Sequence, residues 1–547
     1  MPMTRPASLA VDLGDEGSIA VPLPVLGWAS VAALYAAVRL AVALNAPVAG
    51  AELWSLSGAW AAHAGADDAR FTGALAQAIA AATFAFTDSA LPARLVLALL
   101  GSVVLAVAAA RLRAVVGDGP LLVAAALVAL DPFLAASGGT ASSLALDVPV
   151  ALLLFAVAVR PLATAWPWPV LAAAIAVCGP LPFLLALVLL AARLAVAQYP
   201  RPLTAALAAV GAIAGIAAAS VGFGFRTLGL AVPPVDLFAA SFDAEWSTGT
   251  AAELALLYGW PLLAAGGASA GWVIAGWARG ADVPQGWQRL GLSWGGIGLV
   301  WLIAGAGSHA WAPVPAVSMP AALLAGAAAP RLWERLRSSA WRLAAPPLAA
   351  IAVMAASAGL FAFGWAFGRP NGSALLAILL VGGAGAMAAL LAASRPTRPA
   401  TFLVPLAFGF LWLVAMTGRA ASPGPAEPVY SPAATAQGRV IRAAAIELAD
   451  GRGRIAVHPD LVDDVTWPLR RSGTLLVTDR PPADAAVFLA PGGTTAPEGY
   501  LELEGPWAFL RLTGPPESVR GVLRWLASRN VHPSRDEPVA MFARPTP

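Results

Sequence analysis

Within Gly50–Ala90 the chain gathers Glu52, His63, Asp67, Asp68 and Asp88, although only 12% of its 547 residues are charged. A carboxylate held away from bulk water takes a proton from a hydroxyl nucleophile, so Glu52 is the first candidate for general-base chemistry; its ordinary alternative is a solvated acid at a helix start. His63 is either a surface imidazole or a phosphate or metal contact. Asp67 and Asp68 beside Arg70 read as a solvated turn. Asp147 opens a later apolar run directly after the small-residue loop Ser137–Ser143. An ionisable group at a membrane boundary is a functional candidate, and its alternative is again favourable placement at a helix N-terminus. His309, in Ser308-His309-Ala310-Trp311-Ala312-Pro313, either binds a phosphate or metal or bonds a loop carbonyl.

The elements that must position these groups are membrane helices. The chain is 59% hydrophobic with a mean hydropathy of +0.75, and its first four-fifths repeat apolar runs of ~20 residues, the length of a hydrocarbon core. The first span is expected from Pro24 to Leu44, and further spans near 91–112, 119–136, 148–162, 167–178, 181–197, 203–221, 253–277, 290–307, 313–329, 345–366, 372–393 and 400–418, about thirteen in all. The span at 167–178 is short and ends at Cys178-Gly179-Pro180-Leu181-Pro182; it reads as a half-span or a kinked continuation of its neighbour. Leu53, Leu56, Trp60 and Ala64 recur at helical spacing, so Glu52–Ala64 is expected to lie as an amphipathic helix on the outer membrane surface.

The chain has no lysine, and its arginines set the orientation. One set of alternate loops holds thirteen, from Arg111 to Arg398, whereas the other holds Arg70, Arg226 and Arg369. The first set is expected to be cytoplasmic, which puts residues 1–23 inside as an N-terminal tail and everything after Arg419 outside. The net charge of +3 is spread over short loops and forms no stripe, so nucleic acid is not an expected partner. The single cysteine, Cys178, excludes an intramolecular disulfide.

The order of features carries a family resemblance. The run Asp88-Ser89-Ala90-Leu91-Pro92-Ala93-Arg94-Leu95 is followed by a span, the basic turn Arg111–Gly119, a span ending Ala129-Leu130-Asp131-Pro132-Phe133, and a small-residue loop before Asp147. This resembles the N-terminal module of GT-C superfamily membrane glycosyltransferases, and more narrowly the protein mannosyltransferase and aminoarabinose transferase branch. His309-Ala310-Trp311-Ala312-Pro313-Val314-Pro315 falls where that branch has a polar-aromatic loop, and the resemblance covers roughly residues 20–330. It implies an exoplasmic site, a polyprenyl-phosphate-linked sugar donor, a first-loop acid as base and, in some members, a divalent metal ion. On that pattern Glu52 and Asp147 are the catalytic candidates, and His309, His63 and Arg94 are candidates for the donor phosphate or a metal. The chain departs from the pattern where Ala51-Glu52 stands in place of the common Asp-Glu pair. A second departure is Gly138-Gly139-Thr140-Ala141-Ser142-Ser143, which replaces the usual aromatic and basic residues.

After a Pro-rich linker at 420–432 the composition changes, and residues 433–547 are expected to form an exoplasmic α/β domain. Short apolar runs at Arg454–Val457, Thr474–Val477, Ala485–Leu489, Trp507–Leu512 and Ala540–Ala543 read as strands, with helical stretches at Ala434–Ala449, Pro459–Arg471 and Pro516–Arg529. Trp467-Pro468-Leu469-Arg470-Arg471 resembles the tail domain of the flippase activity-associated proteins, themselves GT-C-like.

The expected architecture is therefore a mainly α polytopic bundle at 24–419, with a first exoplasmic loop at 45–90 and a small α/β tail. The expected function is transfer of a sugar from a polyprenyl-phosphate donor to a lipid, glycan or protein acceptor on the outer face. The alternative is a catalytically degenerate protein of the same fold that binds polyprenyl-linked glycans or helps translocate them.

Overall fold

A computed structural model describes residues 8–12, 18–48, 50–64, 74–160, 167–195, 202–224, 235, 250–280, 284–304, 313–336, 403–423, 436–449, 453–461, 465, 467, 469–470, 475–505, 507–512 and 534–545. The expected spans at 345–366 and 372–393, His309, Asp67 and Asp68, most of the linker and the expected helix Pro516–Arg529 lie outside these residues.

The described residues begin with a hairpin. Strands β1 (Ser8–Asp12) and β2 (Ser18–Pro22) pair antiparallel, with Ser8 opposite Pro22 and Ala10 opposite Ala20. The hairpin falls within residues 1–23, expected as an N-terminal tail. Helix α1 (Leu23–Asn45) follows directly, then α2 (Gly50–His63), α3 (Ala74–Phe84) and α4 (Ala90–Val116). In α4 the residues Ala93, Leu97, Gly101, Ala108 and Leu112 form one buried stripe, while Leu99, Val103 and Val107 on other faces are exposed, as lipid-facing side chains are in a bundle of this hydropathy. At Gly101 a Cβ would stand 2.6 Å from the carbonyl of Ala145, so glycine here lets α4 press against its neighbour α7 (Leu144–Val159).

The expected straight span at 119–136 is two helices, α5 (Asp118–Ala129) and α6 (Pro132–Gly138), bent by 71°. The sequence explains the break. Asp131 caps α6, accepting from the Leu134 N–H at 2.8 Å, and Pro132 takes the first helical position, where its missing N–H costs nothing. Carbonyls freed at such a break need donors inside a membrane. Arg39 of α1 supplies them to Ala129 (3.3 Å) and Leu134 (2.7 Å), and the Thr417 hydroxyl donates to Leu130.

Helices α8 (Pro167–Val177) and α9 (Pro180–Ala195) are separate, joined through Cys178 and Gly179. The series continues with α10 (Pro202–Ser220), α11 (Thr250–Ala278), α12 (Gly286–Ala304), α13 (Pro313–Leu336) and α14 (Leu403–Ala421). Helix α7 lies at the centre, buried along most of its length between α4 and α9. Helix α13 packs on α5, α11 and α12. Four of the described helices are long and apolar enough to cross a membrane, five if the bent α5–α6 pair is one span, and four shorter apolar helices accompany them. The described residues thus give a polytopic membrane bundle without establishing thirteen spans.

Beyond the bundle, α15 (Ala436–Ala449) precedes a sheet of β3 (Arg454–Val457), β4 (Leu476–Val477), β5 (Ala485–Pro491), β6 (Leu501–Glu502), β7 (Ala508–Leu512) and β8 (Ser534–Ala543). The order is β4-β3-β5-β8-β6, with β7 also on β8; β3 is parallel to both its neighbours, and β8 is antiparallel to β5, β6 and β7. The five strand expectations are met and β6 is added. At Pro459–Arg471 the expected helical stretch opens with the 3-10 turn Pro459–Leu461, and Val465, Trp467 and Leu469 among its described residues are helical.

Candidate functional site

The first loop folds into α2 and α3, which pack on each other at one end of the bundle. Helix α2 forms where the spacing of Leu53, Leu56 and Trp60 placed it, but it does not lie open on a surface. Glu52, Leu53, Ser55, Leu56, Ser57, Ala59 and Ala62 are all buried, so protein covers most of its circumference. Small residues make this possible: Ala76, Ala80 and Ala81 on α3 allow close approach.

Glu52, in the first turn of α2, is 2% exposed and faces Arg94 in the second turn of α4, itself 4% exposed. Arg94 Nε donates to Glu52 Oε1 at 2.7 Å and Nη2 donates to Oε2 at 2.6 Å, a two-bond fork matching guanidinium to carboxylate. Glu52 Oε1 also accepts from the backbone N–H of Ala141 at 2.7 Å. The remaining Arg94 donors reach the carbonyls of Ala43 (3.0 Å), Ala46 (2.8 Å) and Pro47 (3.2 Å). A guanidinium has five N–H donors, and all five are spent here. The carbonyls at the end of α1 are those a helix C-terminus leaves unpaired, and a cation there is favoured by the helix dipole. The pair therefore ties α1, α2, α4 and the α6–α7 connection at one point.

Asp147, in the first turn of α7, is 0% exposed. Its Oδ1 accepts from the Gly179 N–H at 2.6 Å, and among the described residues its Oδ2 is buried without a hydrogen bond, with the Ser143 hydroxyl as a polar neighbour of the carboxylate. A Cβ at position 179 would collide with this carboxylate, so only glycine fits the turn between α8 and α9. The connection that runs from Ala141 into the first turn of α7 thus links the two acids: one end is held by Glu52, and Asp147 at the other is held by Gly179. A buried carboxylate oxygen with no partner is costly and calls for an explanation.

The remaining expected site residues are elsewhere. His63, at the end of α2, is exposed beside Trp60 and Phe84, with ring centroids 5.8 Å and 6.4 Å away. Arg94 is brought to Glu52, with no donor left over for a phosphate. A divalent ion takes several oxygen or nitrogen ligands, and among the described residues no three His, Cys, Asp or Glu side chains converge on a point. The described residues do not fit a metal ion, and no step is assigned to one.

Among the buried polar residues that were not singled out from the sequence are Arg39 and Asp131. Arg39 lies within α1, stacked 3.9 Å from the Tyr35 ring centroid, and its Nε has no hydrogen-bond partner among the described residues. Asp131 at the α5–α6 break is fully buried, and among the described residues its Oδ2 makes no hydrogen bond, with the Ser318 hydroxyl beside the carboxylate. The signals were present: a charge inside an apolar run, and an Asp-Pro pair that starts a helix.

The chain was compared with known proteins. No protein-family model matches it, and no curated protein does. Among solved structures, ArnT from Cupriavidus metallidurans in the apo state is similar at a TM-score of 0.50 and 18% identity, over 84% of this chain and 87% of that one. The same protein bound to undecaprenyl phosphate is similar at 0.50 and 17%, over 82% and 86%. An oligosaccharyltransferase from Archaeoglobus fulgidus, tethered to an acceptor peptide, follows at 0.48 and 11%, over 85% and 69%. This chain shares the fold of ArnT.

Proposed function

We propose that this protein is an integral membrane glycosyltransferase that moves a sugar from a polyprenyl-phosphate-linked donor to a hydroxyl of a lipid, glycan or protein acceptor on the outer face of the membrane. The fold supports the general reaction, since ArnT is similar along most of both chains and one of its structures holds undecaprenyl phosphate. The observation that carries the reading to named atoms is the free oxygen of Asp147, buried at the start of α7.

In this reading the acceptor oxygen attacks the anomeric carbon of the sugar. The bond from that carbon to the phosphate oxygen breaks, the lipid phosphate leaves with the electron pair, and positive charge develops on the sugar as in glycoside hydrolysis. The acceptor proton passes to a carboxylate. We place that role on Asp147 Oδ2, because Glu52 Oε1 and Oε2 are already held by Arg94 and the Ala141 N–H. Glu52 contributes by fixing Arg94 and the connection that carries Asp147. His63, exposed at the rim, and His309 are the candidates for contacting the leaving phosphate.

A second reading is favoured by one observation: the Glu52–Arg94 pair is fully satisfied within the protein, as expected of a scaffold that binds a polyprenyl-linked glycan without transforming it. Purified protein in lipid nanodiscs, supplied with labelled polyprenyl-phosphate sugars and an extract of envelope acceptors, separates the two. The transferase reading predicts acceptor-dependent release of polyprenyl phosphate. Tight donor binding with no release from any sugar in the panel would favour the scaffold.

A further inference from the structure

Trp467 belongs to the C-terminal domain by sequence, yet it is 5% exposed within a cluster that includes Leu53, Leu56, Phe84, Ala145 and Cys178 of the membrane bundle. Its ring lies 5.5 Å from that of Phe84, the last residue of α3. Three residues on, the Arg470 guanidinium sits 3.9 Å over the Trp467 ring, donates from Nη1 to the Trp467 carbonyl at 2.8 Å, and donates from Nε to the carbonyl of Asp88 at 3.0 Å. Stacking on the indole fixes the plane of the guanidinium, so its bond to Asp88 has a set direction.

These two contacts fall on the elements that carry the ion pair. Leu53 and Leu56, which share the Trp467 cluster, lie on α2 with Glu52. Asp88 immediately precedes Ser89, the cap of α4, and α4 carries Arg94. The same cluster includes Ala145 and Cys178, which stand close in sequence to Asp147 and beside Gly179. We infer that Trp467 and Arg470 are positioning residues: through them the C-terminal domain clamps α2 and α4 so that the Glu52–Arg94 pair closes and the Asp147 turn keeps its shape. The inference rests on reading this end of the bundle as the place of transfer. It gives the tail a part in the working site, as opposed to an appendage on a stiff linker.

Cys178 is the sole cysteine of the chain and is buried in this cluster, so it reports the state of the clamp without any donor. The test uses the full-length protein and measures the labelling rate of Cys178 with N-ethylmaleimide, together with kcat and KM for transfer. The variants are Trp467→Ala, Arg470→Gln and the conservative Trp467→Phe, with Leu501→Ala on the exposed tail surface as the control. The expected result is labelling faster by at least about tenfold in Trp467→Ala and Arg470→Gln, as local opening becomes easier. It should be accompanied by a fall in kcat larger than the change in donor KM. Trp467→Phe should recover most of both, and Leu501→Ala should match wild type. Labelling at the wild-type rate in both Trp467→Ala and Arg470→Gln would overturn the clamp, as would equal effects from Leu501→Ala. If wild type transfers no sugar, the transferase reading fails, and the labelling arm by itself still decides whether the tail clamps α2 and α4.

Discussion

Glu52 and Arg94 stand 42 residues apart in sequence and meet through two bonds of 2.7 Å and 2.6 Å in a place almost closed to solvent. Such a pair adds little net stability over an apolar one, but removing one partner strands the other charge. Glu52→Gln should therefore destabilise the protein by about 3–5 kcal/mol, seen as a lower apparent Tm in detergent. Arg94→Gln should do the same. The double variant should be less damaged than the sum of the two, because neither charge is left alone. Additive losses would show that the pair is not coupled.

The turn at Gly179 gives a second expectation. Replacing it with Ala pushes a methyl group into the Asp147 carboxylate, at a cost of about 1–3 kcal/mol for overpacking. Transfer should fall in Gly179→Ala while α2 and α4 keep wild-type protection in hydrogen exchange. Unchanged transfer would mean that the position of Asp147 does not matter to the reaction.

Arg39 holds the α5–α6 break by bonds to the carbonyls of Ala129 and Leu134. Hydrogen bonds to a charged group are worth roughly 1.5–3 kcal/mol each, so Arg39→Met should lower the apparent Tm clearly. A variant as stable as wild type would show that other groups satisfy those carbonyls.

Much of this was legible in the sequence, for a physical reason. In a chain so poor in charge, an acid at the edge of an apolar run stands out, and Glu52 and Asp147, both singled out by that signal, are buried in the structure. The tail strands were legible as short apolar runs between turn residues. The partners were not. Nothing local connects Glu52 to Arg94, Asp147 to Gly179, or Trp467 to Phe84, since each contact is made by packing between distant elements. The break at Asp131-Pro132 was written in the residues, but a hydropathy window averages over a cap. Arg39 escaped because charges were read as loop markers.

Orientation has its own test. The first loop and the tail share one end of the bundle, through Arg470 and Asp88, while Arg111 bonds to the Arg160 carbonyl near the far end of α4. With the arginine bias, a reporter after Pro547 should be exoplasmic and one inserted at Ser338 cytoplasmic. Both reporters on the same side would contradict this orientation.

The most direct test of the proposed reaction is single-turnover transfer by Asp147→Asn, with donor binding measured separately on the same preparation. Asparagine keeps the shape and can still accept from the Gly179 N–H, but it cannot take a proton. Loss of a general base costs ~100- to 10,000-fold in rate, so transfer should fall by that much while the donor Kd stays near wild type. Transfer by Asp147→Asn at the wild-type rate, with the same donor Kd, would contradict the assignment of the proton to Asp147.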